Sequence, residues 1–278
     1  MPEQRSWFIT GISRGFGRAL AIELLDRGHT VVGTTRDGQS DLAARAGTLH
    51  TVELDVTTPG QAAIAVEQAV AFAGRIDVVV NNAGYGLLGA VEETSEEATR
   101  HLFEVNFFGA LNVARAALPI FRAQGSGHLV NLSSVAGRDP APGAALYAAS
   151  KCALAGLSEG LAGELAPLGI HVTIVEPGAF RTDFLEPSSL RTVTHRIAAY
   201  QETSGANLDR LGGLAGRQMG DPVKAARAII EAVEAPHPPL HLVLGSDCVE
   251  RSRANVARLI EDIDRWEHVA RETAFEAV

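Results

Sequence analysis

The stretch Trp7-Phe8-Ile9-Thr10-Gly11-Ile12-Ser13-Arg14-Gly15-Phe16-Gly17 decides the fold of this chain. Its first four residues are an apolar run that predicts a short buried strand, and a helical pattern of apolar residues follows over residues 18–28. The glycines between them, spaced Gly-x3-Gly-x-Gly, predict a tight turn from strand to helix. Exposed backbone N–H groups and a positive helix end make such a turn a site for a dinucleotide pyrophosphate. Glycine-rich turns also occur in proteins that bind no nucleotide, so the turn alone leaves the function open.

Strands and helices alternate along the rest of the chain. Apolar or β-branched runs predict further strands at residues 29–35, 48–54, 76–80, 128–132, 170–175 and 240–244. Helical patterns predict helices at about 59–73, 96–122, 147–165 and 222–235. This alternation predicts an α/β fold: a single Rossmann-type, doubly wound domain over residues 1–278, with a parallel sheet of about seven strands and helices on both faces.

Two segments depart from the alternation. Residues 179–220 are rich in Gly, Ser, Thr and Arg, and we expect a partly helical loop over the active face there. Residues 249–271 form an extra amphipathic helix at the C-terminus. It could cover the pocket, add to a contact between subunits, or dock on its own sheet.

Composition and charge restrict the class of protein. A formal charge of −9 argues against a nucleic acid or an anionic membrane as the main partner. The two cysteines, Cys152 and Cys248, suggest no metal site and are expected to be small, buried thiols in a reducing cytosol. We find neither a signal peptide nor an apolar stretch of the about 18 residues that a membrane helix needs. We therefore expect a cytoplasmic protein without a bound metal.

The end of the second predicted strand bears on the choice of cofactor. It reads Thr34-Thr35-Arg36-Asp37. An acidic residue at this place hydrogen-bonds the ribose 2′-OH of NAD, whereas an arginine accommodates the 2′-phosphate of NADP. Arg36 and Arg14 together favour NADP(H) over NAD(H), although a shift of one residue in register would bring Asp37 to that place.

A tyrosine and a lysine four positions apart, Tyr147 and Lys151, lie on one face of the predicted helix. A tyrosine with a pKa of about 10 is a poor proton carrier at neutral pH. A nearby ammonium favours the phenolate and lowers that pKa, so that Tyr147 could exchange a proton with a substrate oxygen. The spacing is common among proteins, and other motifs must decide whether the pair is catalytic.

Those motifs follow one another in a distinctive order: Asp55, Asn81-Asn82-Ala83-Gly84, Asn106-Phe107-Phe108-Gly109, Ser133-Ser134, the Tyr147 pair, and Pro177-Gly178. With the glycine turn in front, the chain from about Trp7 to Leu244 resembles the short-chain dehydrogenase/reductase family in its shorter branch. The extended branch, which includes epimerases and dehydratases, fits less well because its glycine turn is differently spaced and its C-terminal part is larger.

The resemblance implies four catalytic residues. Tyr147 is the general acid/base at the substrate oxygen, and Lys151 lowers the pKa of Tyr147 and binds the nicotinamide ribose. Ser134, rather than its neighbour Ser133, donates a hydrogen bond to the substrate oxygen. Asn106 organises a water that connects Lys151 to solvent. The cofactor-binding residues implied are Gly11, Ser13, Arg14, Gly15, Phe16, Gly17, Arg36, Asp55, Val56, Asn82, Ala83, Gly84, Tyr147, Lys151, Pro177, Gly178, Phe180 and Thr182.

These residues imply an NADP(H)-dependent oxidoreductase that interconverts an alcohol and a ketone or aldehyde, acting on a small molecule. The alternatives are the same reaction with NAD(H), or a catalytically silent sensor of NAD(P) that regulates a partner. The resemblance also implies a homodimer or homotetramer, joined through the small residues of the Tyr147 helix. Substrate specificity is expected from residues 85–90, 138–146 and 179–220, with an apolar set (Phe180, Phe184, Leu185, Ile197, Tyr200) and a charged set (Arg191, His195, Arg196) that is either an anion site or simply solvated.

Overall fold

The computed structural model describes residues 4–44 and 46–275. The strands in these residues are β1 (Ser6–Ile9), β2 (Thr30–Thr35), β3 (Thr48–Glu53), β4 (Val78–Asn81), β5 (Gly86–Leu88), β6 (Gly127–Leu132), β7 (Ile170–Pro177), β8 (Leu190–Thr192) and β9 (His241–Leu244). The α-helices are α1 (Gly15–Asp26), α2 (Gln61–Ala73), α3 (Glu96–Phe103), α4 (Ala110–Gln124), α5 (Ala145–Leu165), α6 (Ala206–Gly212), α7 (Pro222–Glu234) and α8 (Ser246–Arg271).

Seven strands form one parallel sheet in the order β3-β2-β1-β4-β6-β7-β9. The strand order reverses between β1 and β4, and in doubly wound sheets a ligand crevice lies at the carboxyl ends of the strands on either side of such a point. The predicted α/β, Rossmann-type fold with seven parallel strands is therefore confirmed.

Helices cover both faces of this sheet. The side chains of β1 show which helices pack on which face. Successive side chains of a strand point to opposite faces. Trp7 and Ile9 pack in a cluster with residues of α1 and α7, whereas Phe8 packs on the other face in a cluster with residues of α2, α4 and α5. All three are essentially inaccessible to solvent. The continuous apolar run reflects this burial on both sides.

We predicted one continuous helix at residues 96–122, and this prediction is wrong. The structure interrupts it with a π-helical turn, Glu104–Gly109, between α3 and α4. Asn106 is buried in that turn, where its side chain bonds the backbone of Tyr85. The apolar periodicity on either side continues through the turn, so the pattern could not reveal it. π-helical turns occur frequently at functional sites.

Three further expectations need correction. The helix predicted from about residue 59 begins at Gln61, so that Pro59 precedes α2 and Gly60 is its N-cap. Cys152 is exposed, because α5 presents a solvent-facing side there, whereas Cys248 is buried as predicted. The loop region at 179–220 also contains an unpredicted strand, since β8 pairs with β5 in a second, two-stranded sheet.

The C-terminal helix α8 begins at Ser246 and is largely unsupported in its second half. Its first turns contact β9 and the segment after β6, but every residue from Val256 to the end of the helix is exposed. Docking on its own sheet therefore does not describe this half of the helix. None of the described helices combines the length and the apolar character needed to cross a membrane.

Candidate active site

A cleft of about 910 Å³ lies along the carboxyl ends of the central strands. It brings together most of the site residues expected from the sequence. Two of the expected residues, Gly17 and Asn106, lie behind its wall. Those that line it are Gly11, Ser13, Arg14, Gly15, Phe16, Arg36, Asp55, Val56, Asn82, Ala83, Gly84, Ser134, Tyr147, Lys151, Pro177, Gly178, Phe180 and Thr182.

The glycine turn forms one end of the cleft. Gly11 and Gly15 have φ angles of 75° and 61°, a left-handed conformation that favours glycine. Gly17 serves packing, because a Cβ there would lie 2.2 Å from the carbonyl oxygen of Gly11. Among the described residues no side chain caps the N-terminus of α1, and its first turn has no acidic residue. Free N–H groups and a positive helix end are left to face an anion, as a pyrophosphate requires.

Asn82 and Thr10 hold this turn in place. The Nδ2 of Asn82 donates to the carbonyl oxygens of Thr10 and Gly11, each at 2.8 Å. The hydroxyl of Thr10 in turn accepts hydrogen bonds from the backbone N–H groups of Asn82 and Ala83 at 3.0 and 2.9 Å. The two neighbouring strand ends, β1 and β4, are thereby locked together at the crevice.

The end of β2 presents Arg36 to the cleft and turns Asp37 away from it. Arg36 lines the cleft. The carboxylate of Asp37 accepts hydrogen bonds from the hydroxyl of Thr35 at 3.0 Å and the N–H of Gln39 at 3.2 Å, within its own loop. Arg14 also lines the cleft, and it donates to the carbonyl oxygen of Ser188 at 2.8 Å. Of these two neighbours, Arg36 lines the cleft and Asp37 does not.

Tyr147 and Ser134 meet at the centre of the cleft. Ser134 follows β6 and caps a short 3-10 turn by accepting from the N–H of Ala136 at 3.1 Å. Tyr147 lies in the first turn of α5 and is only 7% exposed. Burial raises the pKa of Tyr147 to about 12, and a hydrogen bond with the side chain of Ser134 opposes that rise. We expected Lys151 to lower this pKa, but the group that opposes the effect of burial is Ser134 and not Lys151.

Lys151 lies one turn further along α5. Its ammonium donates to the carbonyl oxygen of Leu132 at 2.8 Å and lies 6.0 Å from the ring centroid of Tyr147. Burial lowers the pKa of Lys151 to about 8. The hydroxyl of Ser133, the neighbour that we did not expect to bind the substrate oxygen, donates to the carbonyl oxygen of Lys151 at 3.0 Å. A lysine held in this way is close to the range in which it can gain and lose a proton.

Asn106 uses its side chain to hold the backbone of Tyr85. Its Oδ1 accepts from the N–H of Tyr85 at 3.0 Å, and its Nδ2 donates to the carbonyl oxygen of Tyr85 at 2.9 Å and to the hydroxyl of Ser150 at 3.1 Å. A Cβ on Gly84 would lie 3.0 Å from Oδ1 of Asn106 and 3.3 Å from Nζ of Lys151. Asn106 thus lies just behind Lys151, with Gly84 between them.

Part of the apolar set expected at the substrate lines the cleft. Phe180, Phe184 and Leu185 line it, and the ring of Phe184 lies 5.8 Å from that of Tyr147. Ile197 and Tyr200 do not line the cleft. The hydroxyl of Tyr200 instead donates to the carboxylate of Glu92 at 2.6 Å.

Of the charged residues expected at the substrate (Arg191, His195 and Arg196), only one lines the cleft. Arg191 lines the cleft with its guanidinium 5.0 Å from the ring centroid of Tyr85. Arg196 pairs with Asp209 at 2.9 Å, and His195 does not line the cleft. Only Arg191 of this set is therefore in place to meet a substrate group.

The sequence analysis did not single out Asp139, Asp247 and Arg251 as cleft residues, although Asp139 lies within the expected segment 138–146 and Arg251 within the predicted C-terminal helix. Asp139 follows the 3-10 turn of Ser134, and Asp247 and Arg251 come from α8. Asp247 accepts from the N–H of Ala179 at 2.8 Å, directly after Pro177-Gly178. No motif or spacing signals these residues, since they meet across more than 60 positions of the chain.

Comparison with known proteins gives consistent matches. The sequence model of the short chain dehydrogenase family matches residues 6–192. The "Oxidoreductase BOA17" of Botryotinia fuckeliana is 38% identical over 95% of this chain and 97% of its own length. The crystal structure of a short-chain dehydrogenase from Streptomyces avermitilis is 40% identical, with a TM-score of 0.89 over 97% of this chain and 100% of that one. A short chain dehydrogenase from Burkholderia cenocepacia, solved with NADP, is 28% identical, with a TM-score of 0.72 over 95% of this chain and 97% of that one.

Proposed function

The chain belongs to the short-chain dehydrogenase/reductase family of NAD(P)-binding oxidoreductases, and from this premise we propose that it interconverts an alcohol and a ketone or aldehyde with NADP(H). The observation that carries the proposal is the meeting of Tyr147 with Ser134 beside Lys151 in the cleft that follows the glycine turn. The rival function, a silent sensor of NAD(P), would require only the cofactor half of this cleft.

The residues of the cleft fit a dinucleotide. The left-handed Gly11 and Gly15, with the uncapped start of α1, would hold the pyrophosphate. Asp55, Val56, and Asn82 to Gly84 would hold the adenosine half, and Pro177, Gly178, Phe180 and Thr182 would flank the nicotinamide. When bound, the cofactor supplies or accepts the hydride.

The protein's own residues handle the proton. In the reducing direction the carbonyl oxygen gains negative charge, and Tyr147 gives it the phenolic proton while the carbonyl carbon receives the hydride. Ser134 donates a hydrogen bond to the same oxygen and fixes its position. The ammonium of Lys151 stabilises the phenolate that Tyr147 becomes, and in the oxidising direction each transfer is reversed.

Arg36 supports NADP(H) as the preferred cofactor. Arg36 lines the cleft at the end of β2, whereas the carboxylate of Asp37 is occupied within its own loop. A guanidinium matches a phosphate in charge and geometry, and a ribose 2′-OH would need an acceptor in that place.

The proposal also includes a homo-oligomer joined through α5. Cys152, Gly156, Gly160 and Gly163 lie on the exposed side of this helix. Among the described residues, and leaving aside each glycine's chain neighbours and the backbone of α5 itself, no heavy atom lies within 4 Å of a Cβ built on any of these three glycines. A flat helix face of this kind permits close approach by the same helix of a second copy.

A panel of ketones, aldehydes and quinones mixed with NADPH and the purified protein tests the reaction. We expect at least one to oxidise NADPH, and Tyr147→Phe to lower kcat by about 100-fold or more while cofactor binding is kept. Tyr200→Phe is the matched control, because Tyr200 lies outside the cleft. Retention of full rate by Tyr147→Phe, or NADPH binding with no turnover of any substrate, would favour the silent sensor.

A further inference from the structure

The second half of α8 carries an apolar stripe in full view of solvent, and Arg258 near its start still bonds Asp139 of the body of the protein. The 16 residues from Val256 to Arg271 are all exposed, and at 1.5 Å per residue they extend about 24 Å. Large apolar side chains recur along them, each between 42% and 60% exposed: Val256, Leu259, Ile260, Ile263, Trp266 and Val269.

Such a helix is not expected to persist without a partner. Most helical stability in proteins comes from packing of an apolar face, and this half of α8 leaves its apolar side chains exposed. A contiguous exposed apolar surface of this kind marks a site of interaction. The described residues of the same chain leave the stripe uncovered, so that a partner from outside must cover it.

The spacing of the stripe is that of a two-helix seam. Val256, Leu259, Ile263 and Trp266 follow one another at intervals of three, four and three residues, as the a and d positions of a coiled coil do. Ile260 lies beside this seam, on one flank.

The charges on that flank are self-complementary. Arg253 and Glu267 each lie seven residues from Ile260, one before it and one after it. If two copies of α8 pair antiparallel about a two-fold axis near Ile260, Arg253 of each copy faces Glu267 of the other. Across the axis, Val256 of each copy then packs against Trp266 of the other, and Leu259 packs against Ile263. The same side chains therefore pack at both ends of the seam.

We propose that α8 is an interaction surface for a second copy of this chain, packed antiparallel along the stripe with its two-fold axis close to residues 260 and 261. Asp262 would approach its own copy on the other flank, where Arg265, 3.9 Å away on the same helix, offsets the like charge. An anionic membrane surface fits less well, because Glu261, Asp262, Asp264 and Glu267 outnumber the arginines of this half and would be repelled by it.

Cysteine cross-linking of the full-length protein tests the axis. Ile260→Cys, in a Cys152→Ser background that removes the exposed thiol, should form a disulfide-linked dimer under mild oxidation. Glu261→Cys is the matched control, since residue 261 is on the opposite side of the helix from the stripe. Cross-linking at 260 that exceeds the control at least about fivefold supports the pairing, and equal yields at the two positions overturn it.

Charge reversal tests the antiparallel register. Arg253→Glu alone and Glu267→Arg alone should each weaken association by about tenfold, measured by sedimentation over a range of concentrations. A mixture of the two variants should recover it, because each copy then supplies the charge that the other lacks. Single variants that associate like the unmodified chain, or a mixture that recovers nothing, overturn the register. Binding to phosphatidylglycerol vesicles without self-association through the stripe would assign the helix to a membrane and overturn the proposal.

Discussion

Arg251 of α8 donates through Nε to Oδ2 of Asp139 at 2.9 Å and also donates to the backbone carbonyl of Asp139. Arg258, two turns further along the helix, donates to Oδ1 of the same carboxylate at 2.7 Å. These hydrogen bonds, with that from Arg251 foremost, hold the pKa of Asp139 below its usual value. Asp139 follows the 3-10 turn that Ser134 begins. The C-terminal helix therefore braces the wall of the cleft next to the residue proposed to bind the substrate oxygen.

Loss of this brace should affect substrate binding more than the chemical step. We expect Arg251→Gln to raise KM for the carbonyl substrate by about tenfold with a smaller change in kcat, because the segment after Ser134 is released while Tyr147 and Lys151 remain held by α5. Steady-state kinetics measure both constants. Arg265→Gln, on the exposed half of the same helix, is the control. An unchanged KM for Arg251→Gln would contradict a role of α8 in the cleft.

The pKa values of Lys151 and Tyr147 predict the pH dependence of carbonyl reduction. Tyr147, with a pKa of about 12, stays protonated through the neutral range and can give its proton. Lys151, with its pKa lowered to about 8, carries its charge below that pH and loses it as the pH rises through 8. We expect kcat for reduction to be constant from pH 6 to 7 and to fall about tenfold per pH unit above about 8. A rate that stays level to pH 10 would show that the charge of Lys151 is not needed.

The bonds made by Asn106 predict a combined loss of stability and activity. Asn106→Leu keeps the volume but leaves the N–H and carbonyl groups of Tyr85 without their partners. We expect the free energy of unfolding to fall by about 2–4 kcal/mol and kcat to fall with it, since Tyr85 and Gly84 form the wall beside Lys151.

Urea denaturation and steady-state rates measure the two effects of this substitution. Asn112→Leu is a useful comparison, because Asn112 makes only a 3.5 Å bond to the carbonyl of Val56. If both variants lost stability equally, the particular role of Asn106 would be refuted.

From the burial of His128 we predict how the free energy of unfolding depends on pH. Burial lowers its pKa to about 3, and its Nε2 lies 2.9 Å from the hydroxyl of Thr173. Between pH 6.5 and 3 the unfolded chain binds a proton that the folded chain does not, so stability falls as the pH is lowered, by up to about 1.4 kcal/mol per pH unit. His128→Gln should flatten this slope in urea denaturation at pH 5–7. A slope that is the same in His128→Gln and in the unmodified chain would contradict the assignment.

The sequence predicts the sheet and the cofactor half of the cleft well because their signals are local. A strand, a glycine turn and a helix follow one another within 20 residues at Trp7 to Asp26. The left-handed conformation of Gly11 and Gly15 requires glycine, and these glycines can be recognised in the sequence. The π-helical turn at Asn106 leaves none, since it depends on hydrogen bonds to Tyr85 and Ser150 that come from other elements. The ion pair of Asp139 with Arg251 spans 112 positions and is set only by the docking of α8.

The proposed preference for NADP(H) rests on which of two adjacent side chains faces the cleft. Because Arg36 lines it while Asp37 is bonded to Thr35 and Gln39, we expect Arg36→Ala to weaken NADPH binding by about 10- to 100-fold and to leave NADH binding within about twofold. Asp37→Ala should leave the preference for NADPH in place, because its carboxylate is turned toward its own loop. Fluorescence titration with each cofactor gives the ratio of the two dissociation constants. A ratio that is the same in Arg36→Ala and in the unmodified chain would assign the preference to another residue, with Arg14 the next guanidinium along the cleft to substitute.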